Sequence, residues 1–184
     1  MTRMDANQAM VFADACDQMQ IDPAARGLLR SGMTAPDAVR ALFEAGHDQA
    51  ALQLAARVMP KRYVVAWLCQ CARGQALEPE ARAGAALAER WLREPTEQHR
   101  RAAFEYANAG GYGSVGAWFA ASAGWAEGSL APAGQQVVAP PEHLTARAVV
   151  AALNLLAAID TANFHERRAG YVRQALAVLD GMAG

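Results

Sequence analysis

The sequence lacks the features of a secreted or membrane-inserted protein. It has only three cysteines, an odd number that cannot pair fully within the chain and that fits a reducing compartment. The N-terminus has no apolar signal core, because Asp5, Asn7 and Gln8 interrupt it. The longest apolar run, from Ala148 to Ile159, is broken by Asn154 and is too short to span a bilayer. These absences predict a cytoplasmic protein without membrane insertion.

The sequence also lacks a strand pattern and an excess of charge of one sign. Val, Ile and Thr are sparse and never alternate with polar residues, whereas Ala, a strong helix former, dominates the 53% hydrophobic fraction. The 17 basic and 18 acidic residues give a formal net charge of −1, so no overall field attracts nucleic acid. We therefore expect an all-α protein that does not bind nucleic acid.

Helical periodicity and terminal signals divide the chain into two parts. Residues 1–33 are predicted to form an N-terminal helical segment with weak apolar spacing, loosely attached to the rest of the chain. Residues 34–184 are predicted to form a single domain of about seven or eight helices, the first beginning at Thr34 and ending at Gly46. Because the connections are short, we expect antiparallel neighbours. A long loop containing Pro and Gly, over 128–141, precedes the last two helices.

Two apolar helices are predicted to form the centre of this domain. The first begins at Pro60 and places Val64, Trp67, Leu68 and Cys71 on one face. The second covers residues 142–160. Its main apolar face is predicted to contain Leu144, Ala148, Ala151, Ala152, Leu155 and Ile159, widened by Val149, Leu153 and Leu156. If this helix is buried nearly all round, Asn154 needs hydrogen-bond partners inside the protein.

No motif indicates a catalytic, cofactor or metal site. In Cys69-Gln70-Cys71 the two thiols point about 200° apart on a helix, which does not allow a shared metal and indicates buried structural cysteines. The four histidines are scattered, without the i, i+4 spacing of a helical metal site. Ser114 and Ser129 lack a nucleophile elbow, and Gly110–Gly113 lacks the Lys of a phosphate loop. Acidic and basic residues mix, as in Glu97 with Arg100 and Arg101, which is typical of a solvated face.

The absence of charge in one segment indicates a binding surface. From Tyr106 to Pro141 the only charged residue is Glu127. We predict that a protein partner binds there, through Tyr112, Trp118, Trp125 and Leu130. The alternative is a core helix covered by the loop after it, which applies more to Trp118 and Phe119 than to Trp125.

A second predicted surface is basic and comprises Arg57, Lys61, Arg62 and Arg73. No Asp or Glu lies between Gln49 and Leu77, and two of the cations stand in a first helical turn, where the macrodipole disfavours them. An acidic partner would explain this placement. The alternative explanation is screening by nearby acidic side chains or water.

Four segments carry a family resemblance: Met59–Arg73, Glu94–Phe104, Gly128–Pro132 and Pro141–Arg147. They resemble an uncharacterised family of small helical bacterial proteins that is associated with type VI secretion gene neighbourhoods. The likeness covers roughly residues 34–182. It implies an accessory, adaptor or chaperone role with a secretion-system component as partner, and it implies no catalytic residues. A homo-oligomer, and a small enzyme or ligand-binding protein without a recognisable motif, remain alternatives.

Overall fold

The structure is a computed structural model that describes residues 12–132 and 134–183. Within these residues the chain is helical and contains no strand, which confirms the predicted all-α fold. Residues 1–11 of the predicted N-terminal segment lie outside the described part. The helices are α1 (12–19), α2 (Pro23–Arg26), α3 (Ala35–Glu44), α4 (Asp48–Val58), α5 (Lys61–Ala72), α6 (Pro79–Arg93), α7 (Glu97–Ala109), α8 (Val115–Gly124), α9 (Leu144–Ala158) and α10 (Phe164–Ala183), with a 3-10 turn at Thr161–Asn163.

Side-chain caps determine where several helices begin. Each cap oxygen accepts a hydrogen bond from the backbone amide three residues further on, which satisfies a donor that the helix itself leaves free. These caps are Asp22 for α2, Thr34 for α3, Thr96 for α7 and Ser114 for α8. Local chemistry therefore determines where these four helices begin. The helices from α3 to α10 correspond to the seven or eight that were predicted.

The most enclosed helix is α8, which packs against α6, α7 and α9. Eight of its ten residues are buried, and most of them are Gly, Ala or Ser. The prediction that α5 and α9 form the centre was therefore incomplete. Because α8 has small residues on every side, its burial leaves no amphipathic stripe that periodicity could detect.

Glycines allow α8 to approach its neighbours unusually closely. A Cβ atom placed on Gly84 of α6 would lie 2.0 Å from the carbonyl oxygen of Gly116 in α8. A Cβ atom on Gly124 would lie 2.7 Å from the Cα of Phe104 in α7. Backbone thus packs directly against backbone at both ends of α8, and no other residue fits at these positions without moving a helix.

Helices α5 and α9 lie side by side and run in the same direction. Their N-terminal ends border one cleft, where Lys61 Nζ lies 3.4 Å from Glu142 Oε1. Their C-terminal ends border another, which Cys71 and Ile159 both line. The predicted antiparallel arrangement concerned consecutive helices joined by short connections. Helices α5 and α9 can be parallel because they are far apart in the chain.

The predicted inward face of α9 is partly wrong. Leu155 and Ile159 are 37% and 56% exposed, whereas Val149, Leu153 and Leu156 are buried. The buried face of α9 is thus centred closer to Val149, Leu153 and Leu156, which were predicted to lie only at its edge. Asn154 is half-buried, and its Oδ1 atom has no hydrogen-bond partner among the described residues, so the expected internal partner of that oxygen is not found there.

The described part of the N-terminal segment packs on the same core. Phe12, Cys16, Met19 and Ile21 are buried. Gln18 joins the segment to the rest of the protein, because its Oε1 atom accepts a hydrogen bond from Arg57 (2.6 Å) and its carbonyl accepts two from Arg147 (2.7 and 2.9 Å). Residues 12–33 are therefore integrated with the later helices.

Candidate functional site

Three of the aromatic residues predicted to bind a partner come together in one cluster. The ring centroids of Tyr112 and Trp118 are 5.7 Å apart, those of Tyr112 and Trp125 are 5.1 Å apart, and those of the two tryptophans are 6.0 Å apart. These distances are typical of aromatic pairs that attract each other. All three side chains are half-buried, whereas Phe119 is fully buried. We call Tyr112, Trp118 and Trp125 the aromatic cluster.

The backbone at Tyr112 is unusual. Its φ is +56°, in the left-handed region that a bulky residue enters at a cost of about 1–2 kcal/mol. Gly111 before it has φ +58°, so the turn from α7 to α8 contains two successive left-handed residues. The Tyr112 ring packs on both tryptophans, and its hydroxyl donates to Asn108 Oδ1. A tyrosine thus occupies a position where glycine would be unstrained.

Leu130 lies on the loop after α8 and is not part of the aromatic cluster. Its amide donates to the Val138 carbonyl (2.8 Å), and Ser129 Oγ accepts from the amides of Ala131 and Val138 (3.1 Å each). These bonds close the described part of the loop on itself. Val137 and Val138 are 72% and 51% exposed.

Arg100 fixes this loop to α7 and α8, and sequence reasoning missed it. It was expected on a solvated face, yet it is only 1% exposed. Its guanidinium donates to both carboxylate oxygens of Glu97 (2.6 Å each), to the Gly124 carbonyl (2.6 Å) and to the Ser129 carbonyl (3.2 Å). The bond from Arg100 is the main reason that the pKa of Glu97 lies below its ordinary value. The rigid fork of an arginine suits this set of acceptors.

The four predicted basic residues do not form one surface. Arg57 and Lys61 line the cleft at the N-terminal ends of α5 and α9. Arg62 donates to the Leu92 carbonyl (3.0 Å), so it caps the end of α6. Arg73 follows α5 and lines the cleft at the opposite end of that helix. Arg73 thus lies about 18 Å along α5 from Lys61, so the structure does not bring the four residues together.

The cysteines and histidines give no sign of redox or metal chemistry in the described residues. Cys16, Cys69 and Cys71 are free and buried. Burial raises the pKa of the Cys69 thiol to about 12 and raises that of Cys71 as well. No three His, Cys, Asp or Glu side chains of the described part lie close enough together to hold a metal ion.

No single described helix is long and apolar enough to cross a membrane. α9 and the segment from Thr161 to Met182 meet the length and composition requirements only as a pair, and a bend of 115° separates them.

The structure thus defines an all-helical protein with a half-exposed aromatic cluster beside a well-anchored loop. Residues 38–179 match the model of a family described as "Family of unknown function (DUF6931)", and the chain belongs to that family. The match covers most of the predicted helical domain. No curated protein and no solved structure matches the chain.

Proposed function

We propose that this protein is a non-catalytic protein-interaction module whose partner binds at the aromatic cluster. The observation that supports this most directly is the packing of Tyr112, Trp118 and Trp125 at a half-exposed position within a segment that is nearly free of charge. Tyr and Trp are enriched at the energetic centres of interfaces, because they bury a large area with few rotatable bonds.

The surroundings of the cluster favour a preformed binding surface. Arg100 holds both the end of α8 and the loop in place, and Glu80 Oε1 accepts from Ser114 Oγ (2.5 Å) at the start of α8. A surface that is already ordered loses less conformational entropy when a partner binds. The strained backbone of Tyr112 supports the same interpretation, since strain of this kind is often found at functional sites.

The proposed role is that of an accessory, adaptor or chaperone protein in the cytoplasm, with a secretion-system component as partner. This part of the proposal rests on the sequence resemblance alone. The partner would pack an apolar or prolyl side chain against the exposed part of the aromatic cluster. The second predicted surface is less favoured for a protein partner, because Arg62 and Arg73 lie apart from Arg57 and Lys61.

A pull-down with matched aromatic variants tests the proposal. Tyr112→Gly and Trp125→Ala each remove a ring of the cluster, and the glycine also relieves the strained backbone. Tyr63→Ala is the control, since Tyr63 is a 53% exposed aromatic side chain on α5. We expect the two cluster variants to lose partners that the control retains. Circular dichroism and urea unfolding should show that all three variants fold.

The competing interpretations give different results. Partners retained by both cluster variants would refute the proposal. A change in molar mass by light scattering that occurs only in the cluster variants would identify the partner as a second copy of this chain. Captured secretion components would support the proposed cellular role, whereas an unrelated partner would leave the surface in place and remove that role.

A further inference from the structure

The cleft between the N-terminal ends of α5 and α9 is bordered by several hydrogen-bond donors that have no acceptor among the described residues. It has a volume of about 430 Å³, which lies within the usual range of small-ligand sites. Arg57, Lys61, Glu127, Glu142, Thr145 and Ala146 are among the residues that line it. We call it the α5/α9 cleft. It is a different site from the aromatic cluster.

Neither helix has a side-chain cap at this end. In α9 the Leu144 amide donates to Pro141 (3.0 Å) and the Arg147 amide donates to His143 (2.9 Å), but the amides of Thr145 and Ala146 have no acceptor among the described residues. In α5 the same is true of the first two amides, which precede Tyr63. Two parallel helices thus direct their positive ends to the same place.

The side chain of Thr145 provides an independent observation. Thr145 is 1% exposed and lines the cleft, and its hydroxyl has no hydrogen-bond partner among the described residues. Buried hydroxyl groups in native proteins are nearly always paired, so an unpaired one at a cleft indicates a missing acceptor. Such an acceptor would meet the free amides of the same helical turn.

The charges of the cleft restrict the chemistry of that acceptor. Arg57 uses only its Nε atom, toward Gln18, which leaves the terminal nitrogens without an acceptor in the described residues. The surroundings are positive enough that Arg147 and Arg57 contribute, after burial, to lowering the pKa of His143. Glu127 and Glu142 line the cleft as well, and they would repel a doubly charged anion such as phosphate. A singly charged anion fits this balance.

We infer that the α5/α9 cleft binds a carboxylate group. The Thr145 hydroxyl and the amides of Thr145 and Ala146 donate to its oxygens, and the terminal nitrogens of Arg57 supply the opposite charge. The carboxylate belongs either to a free small carboxylic acid or to the C-terminus of a peptide, since both present the same planar, singly charged group. The cleft has room for atoms beyond the carboxylate.

NMR titration of the ¹⁵N-labelled protein tests this inference directly. The probes are acetate, N-acetyl-Ala-Ala, its C-terminal amide and inorganic phosphate, at matched ionic strength. We expect acetate and the free peptide to shift the amide signals of Thr145 and Ala146, and we expect the amidated peptide and phosphate to leave them unchanged. Tighter binding of the peptide than of acetate would identify a C-terminus as the source, and equal binding would identify a small acid.

Matched variants separate binding from folding. Thr145→Val keeps the shape of the side chain and removes the hydroxyl, so we expect carboxylate binding to weaken by about tenfold while the fold persists. Thr161→Val makes the same change at an exposed position and should bind as the wild type does. Glu142→Gln should bind carboxylates more tightly and begin to accept phosphate. The inference is overturned if no carboxylate shifts the two amides, or if Thr145→Val binds as tightly as Thr161→Val.

Discussion

The crossing of α6 and α8 allows a prediction in which geometry determines both the sign and the size of the effect. In Gly84→Ala the new methyl group would lie 2.0 Å from the Gly116 carbonyl oxygen, whereas ordinary contact begins near 3.4 Å. The two helices must therefore separate by roughly 1.4 Å, and a gap of that size removes much of the dispersion energy along their contact.

The magnitude results from two opposing effects. Replacing glycine by alanine inside a helix contributes about 0.5–1 kcal/mol of stability through backbone entropy. Overpacking a core usually costs about 1–3 kcal/mol, and here the obstacle is backbone, which cannot change rotamer. Taking the upper end of that cost, we expect Gly84→Ala to lower the free energy of unfolding by about 2 kcal/mol, measured by urea denaturation.

Gly170→Ala provides the matched control. Gly170 also lies within a helix, but a Cβ atom there would have no neighbour within 4 Å. We expect this variant to gain about 0.5–1 kcal/mol of stability. The reasoning is refuted if Gly84→Ala is as stable as the wild type, or if both substitutions change the free energy of unfolding in the same direction.

Three further predictions concern side chains described above. Arg100→Ala should cost about 1–3 kcal/mol, because it leaves the Gly124 carbonyl buried without its donor, and Arg100→Lys should restore only part of this in urea unfolding. Cys69 and Cys71 should resist a thiol reagent at pH 8 in the native protein and react when it is unfolded, since burial raises both pKa values; rapid native labelling would contradict this. The pKa of Glu97 is lower in the folded state than its ordinary 4.5, so its contribution to stability is complete above that pH and is lost as the pH falls through the lowered pKa. Unfolding measured from pH 7 to pH 3 should therefore show a smaller loss of stability in Glu97→Gln than in the wild type.

The sequence was sufficient to place the helices of the domain, because their signals are local. Thr34 was predicted to begin a helix, and its side chain caps α3 by accepting a hydrogen bond from the third amide after it. The arrangement of the helices was harder to predict. Close glycine contacts such as Gly84 with Gly116 depend on which helices meet, and that information is not contained in the periodicity of either helix.

The candidate sites show the same limit. Trp118 and Trp125 are seven residues apart, which places them on one face of a helix, so their association could be predicted. The folding of Tyr112 back onto them depends on a left-handed turn that composition does not reveal. The α5/α9 cleft could not be predicted at all, since Arg57 and Thr145 come from distant parts of the chain.

The parallel arrangement of α5 and α9 has a consequence for the order of folding. Helices α6, α7 and α8 are consecutive in the chain and pack together, so their contacts close only short loops. The pairing of α5 with α9 must instead bring together helices that have three others between them. Such contacts form slowly, because the chain loses conformational entropy in closing a long loop before the contact contributes a favourable energy. We expect α6–α8 to acquire protection from hydrogen exchange first during refolding, and the α5/α9 cleft to be completed last.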